Sequence, residues 1–156
     1  MTSLDVFDRK ILAALQEAGD AGPSELAPIV GLSPSQISRR LQILRKDGVI
    51  RSIHAHLSPA ALNVGIMAYV MLTMTSSDPQ AASDFRKRLI LLDEVLECQL
   101  LTGSPDMIIK VATKDLSSLN ILLTETLLSS PQIANGRTSI ILQDVKSSHS
   151  LPLRFC

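Results

Sequence analysis

The sequence predicts an α+β chain built as two units, three short helices followed by a β-α-β-β-α-β run. Three observations carry this. Apolar residues recur at helical spacing as far as residue 47, with glycine closing each stretch. From residue 49 the pattern changes to period two. From residue 66, short apolar strands alternate with two amphipathic stretches in the split order of a four-stranded sheet with two helices.

In residues 4–18, Leu4, Phe7, Ile11, Leu12 and Leu15 share one helical stripe and charged residues occupy the other side. Gly19 ends that helix, and Gly22-Pro23 restarts the chain for a second one over 24–30. Gly31 breaks it. Ser33 is an N-cap, Pro34 suits the first helical position, and the third helix runs to about Asp47 and closes at Gly48. Residues 49–57 alternate as an extended strand, and Ser58-Pro59 begins a linker. The second unit reads as strand 66–75, helix 79–92, strand 95–101, turn 102–105, strand 107–112, helix 116–129 and strand 137–142. The domain bounds expected are 1–50 for the helical unit, 51–63 for strand and linker, and 64–156 for the rest, with residues 147–156 loosely ordered or packed on a partner subunit.

Composition narrows the function classes. The chain has 156 residues, 46% of them hydrophobic, which suffices for packed cores and is unlike disorder. Aromatics are only 3%, too few for base-stacking platforms on single strands. Formal net charge is zero, yet residues 33–57 hold five basic side chains (Arg39, Arg40, Arg45, Lys46, Arg51) against one acid, Asp47. Counterion release from a nucleic acid needs such a local patch and not a basic protein. Cys98 and Cys156 lack metal-ligand spacing, and His54 and His56 have no evident third ligand beyond the distant His149, so no metal or cofactor is expected. No apolar run reaches the roughly 18 residues that span a membrane, and a reducing cytoplasm fits the cysteine usage.

On a helical wheel Leu41 and Leu44 fall within roughly 40° of Ile37 and form the packing stripe of the third helix. Ser35, Arg39, Gln42 and Lys46 lie opposite, flanked by Gln36 and Ser38. Hydroxyl, amide and guanidinium groups are those that bond to base edges and phosphates in the major groove. The expected DNA contacts are therefore Ser33, Ser35, Gln36, Ser38, Arg39 and Gln42, with Arg40, Arg45 and Arg51 directed at phosphates. A solvated polar face beside a small three-helix core is the alternative.

These residues resemble the Lrp/AsnC (feast/famine) family of transcriptional regulators. L-D-x-x-D-x-x-I-L-x-x-L-Q spans 4–16, V-G-L-S-P-S spans 30–35, and Arg40, Leu44, Gly48 and Ile50 meet the family's next signal. E-C-x-L-x-T-G follows at 97–103, and L-P-L stands at 151–153. The resemblance implies a winged helix-turn-helix domain plus a βαββαβ ferredoxin-like (RAM) domain. It also implies a non-enzymatic, sequence-specific regulator of amino-acid metabolism or transport that binds double-stranded DNA as a homodimer or octamer. Strands that are apolar on both faces agree with a second subunit covering the sheet.

The resemblance further implies an amino-acid effector held near the loop between the second and third strands of the second domain. The family pattern there is G-D-x-D-Y; this chain has Gly103-Ser104-Pro105-Asp106-Met107, with Ser104 for the first acid and Met107 for the aromatic. The expected effector set is Gly103, Ser104, Asp106, Met107 and Thr138, with leucine or methionine as ligand; a simple tight turn is the alternative. The same domain plan resembles the siroheme decarboxylases, but residues 50–54 lack their paired arginines and aromatic.

Overall fold

The structure, a computed structural model, describes residues 4–75, 79–148 and 150–155; His149 and Cys156, weighed above, lie outside them. The chain divides into two compact units: residues 1–56 with 146–156, and residues 57–145. The closing segment thus groups with the helical unit, not with the second domain as expected from sequence.

The helical unit holds α1 (Val6–Glu17), α2 (Pro23–Val30) and α3 (Pro34–Lys46). Asp5 caps α1 by accepting from the Phe7 and Asp8 amides, both at 2.8 Å, and Asp8 returns a bond from the Asp5 amide at 3.2 Å. This reciprocal cap satisfies donors that a helix start otherwise leaves unpaired. Gly31 ends α2 at φ +81°, a left-handed position that glycine occupies without strain. Ile11, Leu26, Val30, Ile37 and Leu44 are fully buried between the helices. After α3, Gly48 turns the chain at φ +71° and the Val49 and Ile50 amides both donate to the Leu44 carbonyl.

The strand expected over 49–57 does not form. Residues 51–58 carry no regular structure and are exposed throughout. Alternation specifies a strand only where another strand supplies the ladder, and no described segment pairs with this one. Ile53 lies close over Gly19, where an added Cβ would stand 3.3 Å from its Cγ2.

The second unit contains β1 (Ile66–Met74), α4 (Pro79–Ile90), β2 (Val95–Leu100), β3 (Met107–Thr113), α5 (Leu116–Ile121) and β4 (Ile133–Ile140). The α5 helix runs on as a π turn over Leu122–Leu127. The sheet order is β2-β3-β1-β4, antiparallel at every pairing. Ala68, Val70, Leu72, Met107, Ile109 and Val111 point to one face, where Phe85, Leu89, Leu119, Leu122 and Leu127 close the core. Met67, Tyr69, Met71 and Ile108 occupy the opposite face and are only half-buried. β4 begins four residues earlier than expected. Asn135-Gly136 reads as a turn locally, but Gly136 pairs with Leu72 and a register shift beyond Thr73 lets Ile133 reach Met74. Among the described residues no helix is long and apolar enough to cross a membrane.

Candidate nucleic-acid interface and effector loop

Local chemistry sets the start of α3. Ser33 Oγ accepts from the Gln36 amide at 3.3 Å, and Gln36 Oε1 accepts from Ser33 N at 3.0 Å and Ser33 Oγ at 2.9 Å. Ser35 Oγ stands 3.1 Å from Ser33 Oγ. These bonds commit the Gln36 amide oxygen and leave its NH2 as the outward donor. Ser33 and Gln36 thus build the helix terminus as well as presenting groups beyond it.

Ile37, Leu41 and Leu44 bury one side of α3, which turns Ser35, Gln36, Arg39 and Gln42 outward as an exposed row. Arg45 and Lys46 are exposed in the last turn, where cations complement the helix dipole, and Arg51 is exposed just beyond. Ser38 is half-buried and lines, with Gln42 and Arg45, a cleft of about 400 Å³ that opens toward the Gly19–Pro23 turn and Ile53. The arrangement offers uncharged donors and acceptors at the helix start and cations toward its end, as a major-groove reader requires.

Arg40 departs from the expected set. Its Nη1 lies 2.7 Å from Asp8 Oδ1 and 2.9 Å from Asp5 Oδ2, and the guanidinium stands 5.5 Å from the Phe7 ring centroid. It is half-buried and faces α1, so its guanidinium is engaged within the unit. The Asp8 amide is the main cause that holds the Asp5 carboxyl below the usual aspartate range; burial opposes it as the next effect, and the Arg40 guanidinium and the Phe7 amide lower it further. The bond to Asp8 likewise raises the Arg40 pKa. One signal was present in the sequence: an acid pair three residues apart opening α1, and Arg40 at one edge of the apolar stripe of α3.

The candidate effector loop, residues 101–106, joins β2 to β3. Gly103 sits at φ +95° with open space around it, so backbone conformation alone requires glycine there. Asp106 ties the loop to β1: Oδ2 accepts from Met74 N at 2.7 Å, its amide donates to Leu72 O at 3.0 Å, and its carbonyl accepts from Leu101 N at 2.8 Å. Gly103 and Ser104 are exposed. Met107 is a correction. Its side chain is fully buried in the core with Cys98 Sγ at 3.5 Å from its sulfur, because β3 alternates inward at that position. Thr138 faces the helices opposite Val70 on β4, and β1 separates it from the loop strand. Gly103, Ser104 and Asp106 thus share one loop, whereas Met107 lies in the core and Thr138 stands on β4, beyond β1. Leu100, at the end of β2, and Leu101, the first residue of the loop, are exposed.

Comparison with known proteins agrees with both units. The winged helix-turn-helix DNA-binding pattern matches residues 4–51, and the Lrp/AsnC ligand binding domain matches residues 67–151. The leucine-responsive regulatory proteins of Klebsiella pneumoniae and of Escherichia coli K12 are each 34% identical over 151 residues, covering 97% of this chain and 92% of the relative. A Neisseria meningitidis transcriptional regulator solved with L-methionine superposes with TM-score 0.94 at 35% identity, covering 98% of this chain and 99% of that one. Escherichia coli AsnC gives TM-score 0.85 at 27% identity, covering 97% and 100%. The chain belongs to the Lrp/AsnC family of transcriptional regulators, a helix-turn-helix DNA-binding unit joined to that family's ligand-binding domain.

Proposed function

We propose that this regulator reads operator DNA with Ser35, Gln36, Arg39 and Gln42, anchors on phosphates through Arg45 and Arg51, and responds to an apolar amino acid such as methionine or leucine. The observation that carries the DNA reading is the exposed row on α3, held by a buried stripe and a capped start. Ser38 contributes from the floor of the adjacent cleft.

The effector reading is supported by the likeness to the regulator solved with L-methionine. Its site is the outward part of the 101–106 loop, where Gly103 and Ser104 offer polar groups and Leu100 and Leu101 offer apolar surface. Asp106 acts by shaping the loop. The half-buried Met67, Tyr69, Met71 and Ile108 face of the sheet supports a homodimer, since a second copy covers apolar surface that neither helix reaches.

Titration calorimetry of the full-length protein against each of the twenty amino acids tests the effector, with heat expected for methionine or leucine. No heat at millimolar ligand overturns the effector reading and leaves the DNA reading standing. Selection of bound sequences from a random duplex pool tests the latter, and failure to enrich any motif overturns it.

A further inference from the structure

Residues 146–148 and 150–155 group with the helical unit and not with the sheet unit. Gln16, near the end of α1, holds Leu151 with its side-chain amide: Nε2 donates to Leu151 O at 3.2 Å, and Leu151 N donates to Oε1 at 2.5 Å. One primary amide thereby satisfies both polar groups of a backbone residue 135 positions away. Leu153 enters a short turn, Leu153–Phe155, and packs half-buried against the core of Ile11, Leu12, Leu26 and Ile37. The chain accordingly crosses between the units twice, after His56 and after Val145.

A three-helix unit of this size buries little apolar surface, so each added packed side chain is a large share of its stability. We propose that residues 146–155 are a working part of the DNA-binding unit, a second covalent tether that braces α1 and, through the shared core, holds α3 in its reading position. Two connections also leave the unit less conformational freedom than one. None of this requires the closing segment to touch DNA. Lys146 and Arg154 are cations in it, and the phosphate-contact explanation must therefore be separated from the brace.

The test uses full-length Gln16→Ala and Leu153→Ser, both of which retain every cation. Expected outcomes are faster hydrogen exchange at the Leu151 amide, reduced exchange protection across α1, and a severalfold weaker operator Kd. The slope of log Kd against log salt should stay at the parent value, since no phosphate contact is lost. A Leu151 amide that exchanges at the unprotected rate in the parent overturns the proposal. So do two variants that bind operator like the parent with unchanged α1 protection. A Lys146→Ala, Arg154→Ala variant keeps the brace and should retain the parent slope. If its slope falls by about one per cation, the segment is a DNA arm and the brace is rejected.

Discussion

Arg40 Nη1 and Asp8 Oδ1 stand 2.7 Å apart, and the same nitrogen reaches Asp5 at 2.9 Å, so one guanidinium on α3 holds both carboxylates that cap α1. The helix that faces DNA is thereby fastened to the first helix by charge as well as by packing. Arg40→Gln should lower the stability of the helical unit by about 1 kcal/mol, the scale of a partly exposed ion pair. Its operator Kd should retain the parent salt slope. The pH dependence follows from Asp5, whose pKa is depressed in the folded state. A depressed carboxyl stabilises the fold above its unfolded pKa, about 3.9, and loses that contribution as pH falls through the lower folded value. The melting gap between parent and Arg40→Gln should be widest near neutrality and narrow below about pH 4. A gap constant from pH 7 to pH 3 rejects the charge clamp.

Arg39 projects outward from the same turn, and its removal should act in the opposite way. Arg39→Ala should cost about 1–3 kcal/mol in operator binding and relax preference at one or two base positions, with stability little changed. Arg45→Ala and Arg51→Ala should weaken binding alike on operator and random DNA, each reducing the salt slope by about one. Fluorescence anisotropy on both duplexes across a salt series separates the two behaviours. Equal losses on both duplexes for Arg39→Ala would place it among the phosphate contacts.

Gly65 supplies a steric prediction in the sheet unit. Its amide donates to Lys114 O at 3.2 Å, and an added Cβ would lie 2.4 Å from that same oxygen. Because the obstacle is backbone, relief requires moving β1 or the turn before α5. Gly65→Ala should cost about 1–3 kcal/mol, the range for overpacking. At Gly136 the added Cβ meets two side-chain ends, Cδ2 of exposed Leu128 at 2.3 Å and Cδ2 of buried Leu72 at 3.3 Å; both belong to side chains and not to backbone, so Gly136→Ala should cost less. Denaturant melts of the two variants decide the order, and a larger loss at Gly136 reverses the reasoning.

Much of this architecture was legible because the signals were local. Gly19, Gly31 and Gly48 bound the three helices, and Ser33-Pro34 announces the start of α3. The short apolar run of residues 107–112 marked β3, but only the folded sheet shows which of its side chains, Met107 among them, turn into the core. What stayed hidden depends on partners distant in sequence. Arg40 looks like another outward cation until Asp5 and Asp8 are brought beside it. Residues 49–57 have the pattern of a strand but no pairing partner among the described residues, and 133–136 have a neighbour without the pattern. Gln16 carries no hint of its bonds to Leu151.

Asp106 offers the sharpest separation of structural from ligand-binding roles. Its carboxylate accepts from the Met74 amide at 2.7 Å, while its own amide and carbonyl bond to Leu72 and Leu101. Asp106→Ala leaves a partly buried donor on Met74 without its partner, at a cost of about 1–3 kcal/mol, and should speed exchange at that amide. Asp106→Asn keeps an acceptor oxygen in the same place and should restore most of the stability and the protection. If the carboxylate serves the loop alone, Asp106→Asn should bind the effector amino acid nearly as tightly as the parent in calorimetry. If its charge pairs with the ligand ammonium, Asp106→Asn should remain folded while ligand affinity falls by an order of magnitude or more, consistent with loss of a charge-assisted bond. The bond to Met74 favours the first outcome, because it occupies one carboxylate oxygen and ties the group to β1.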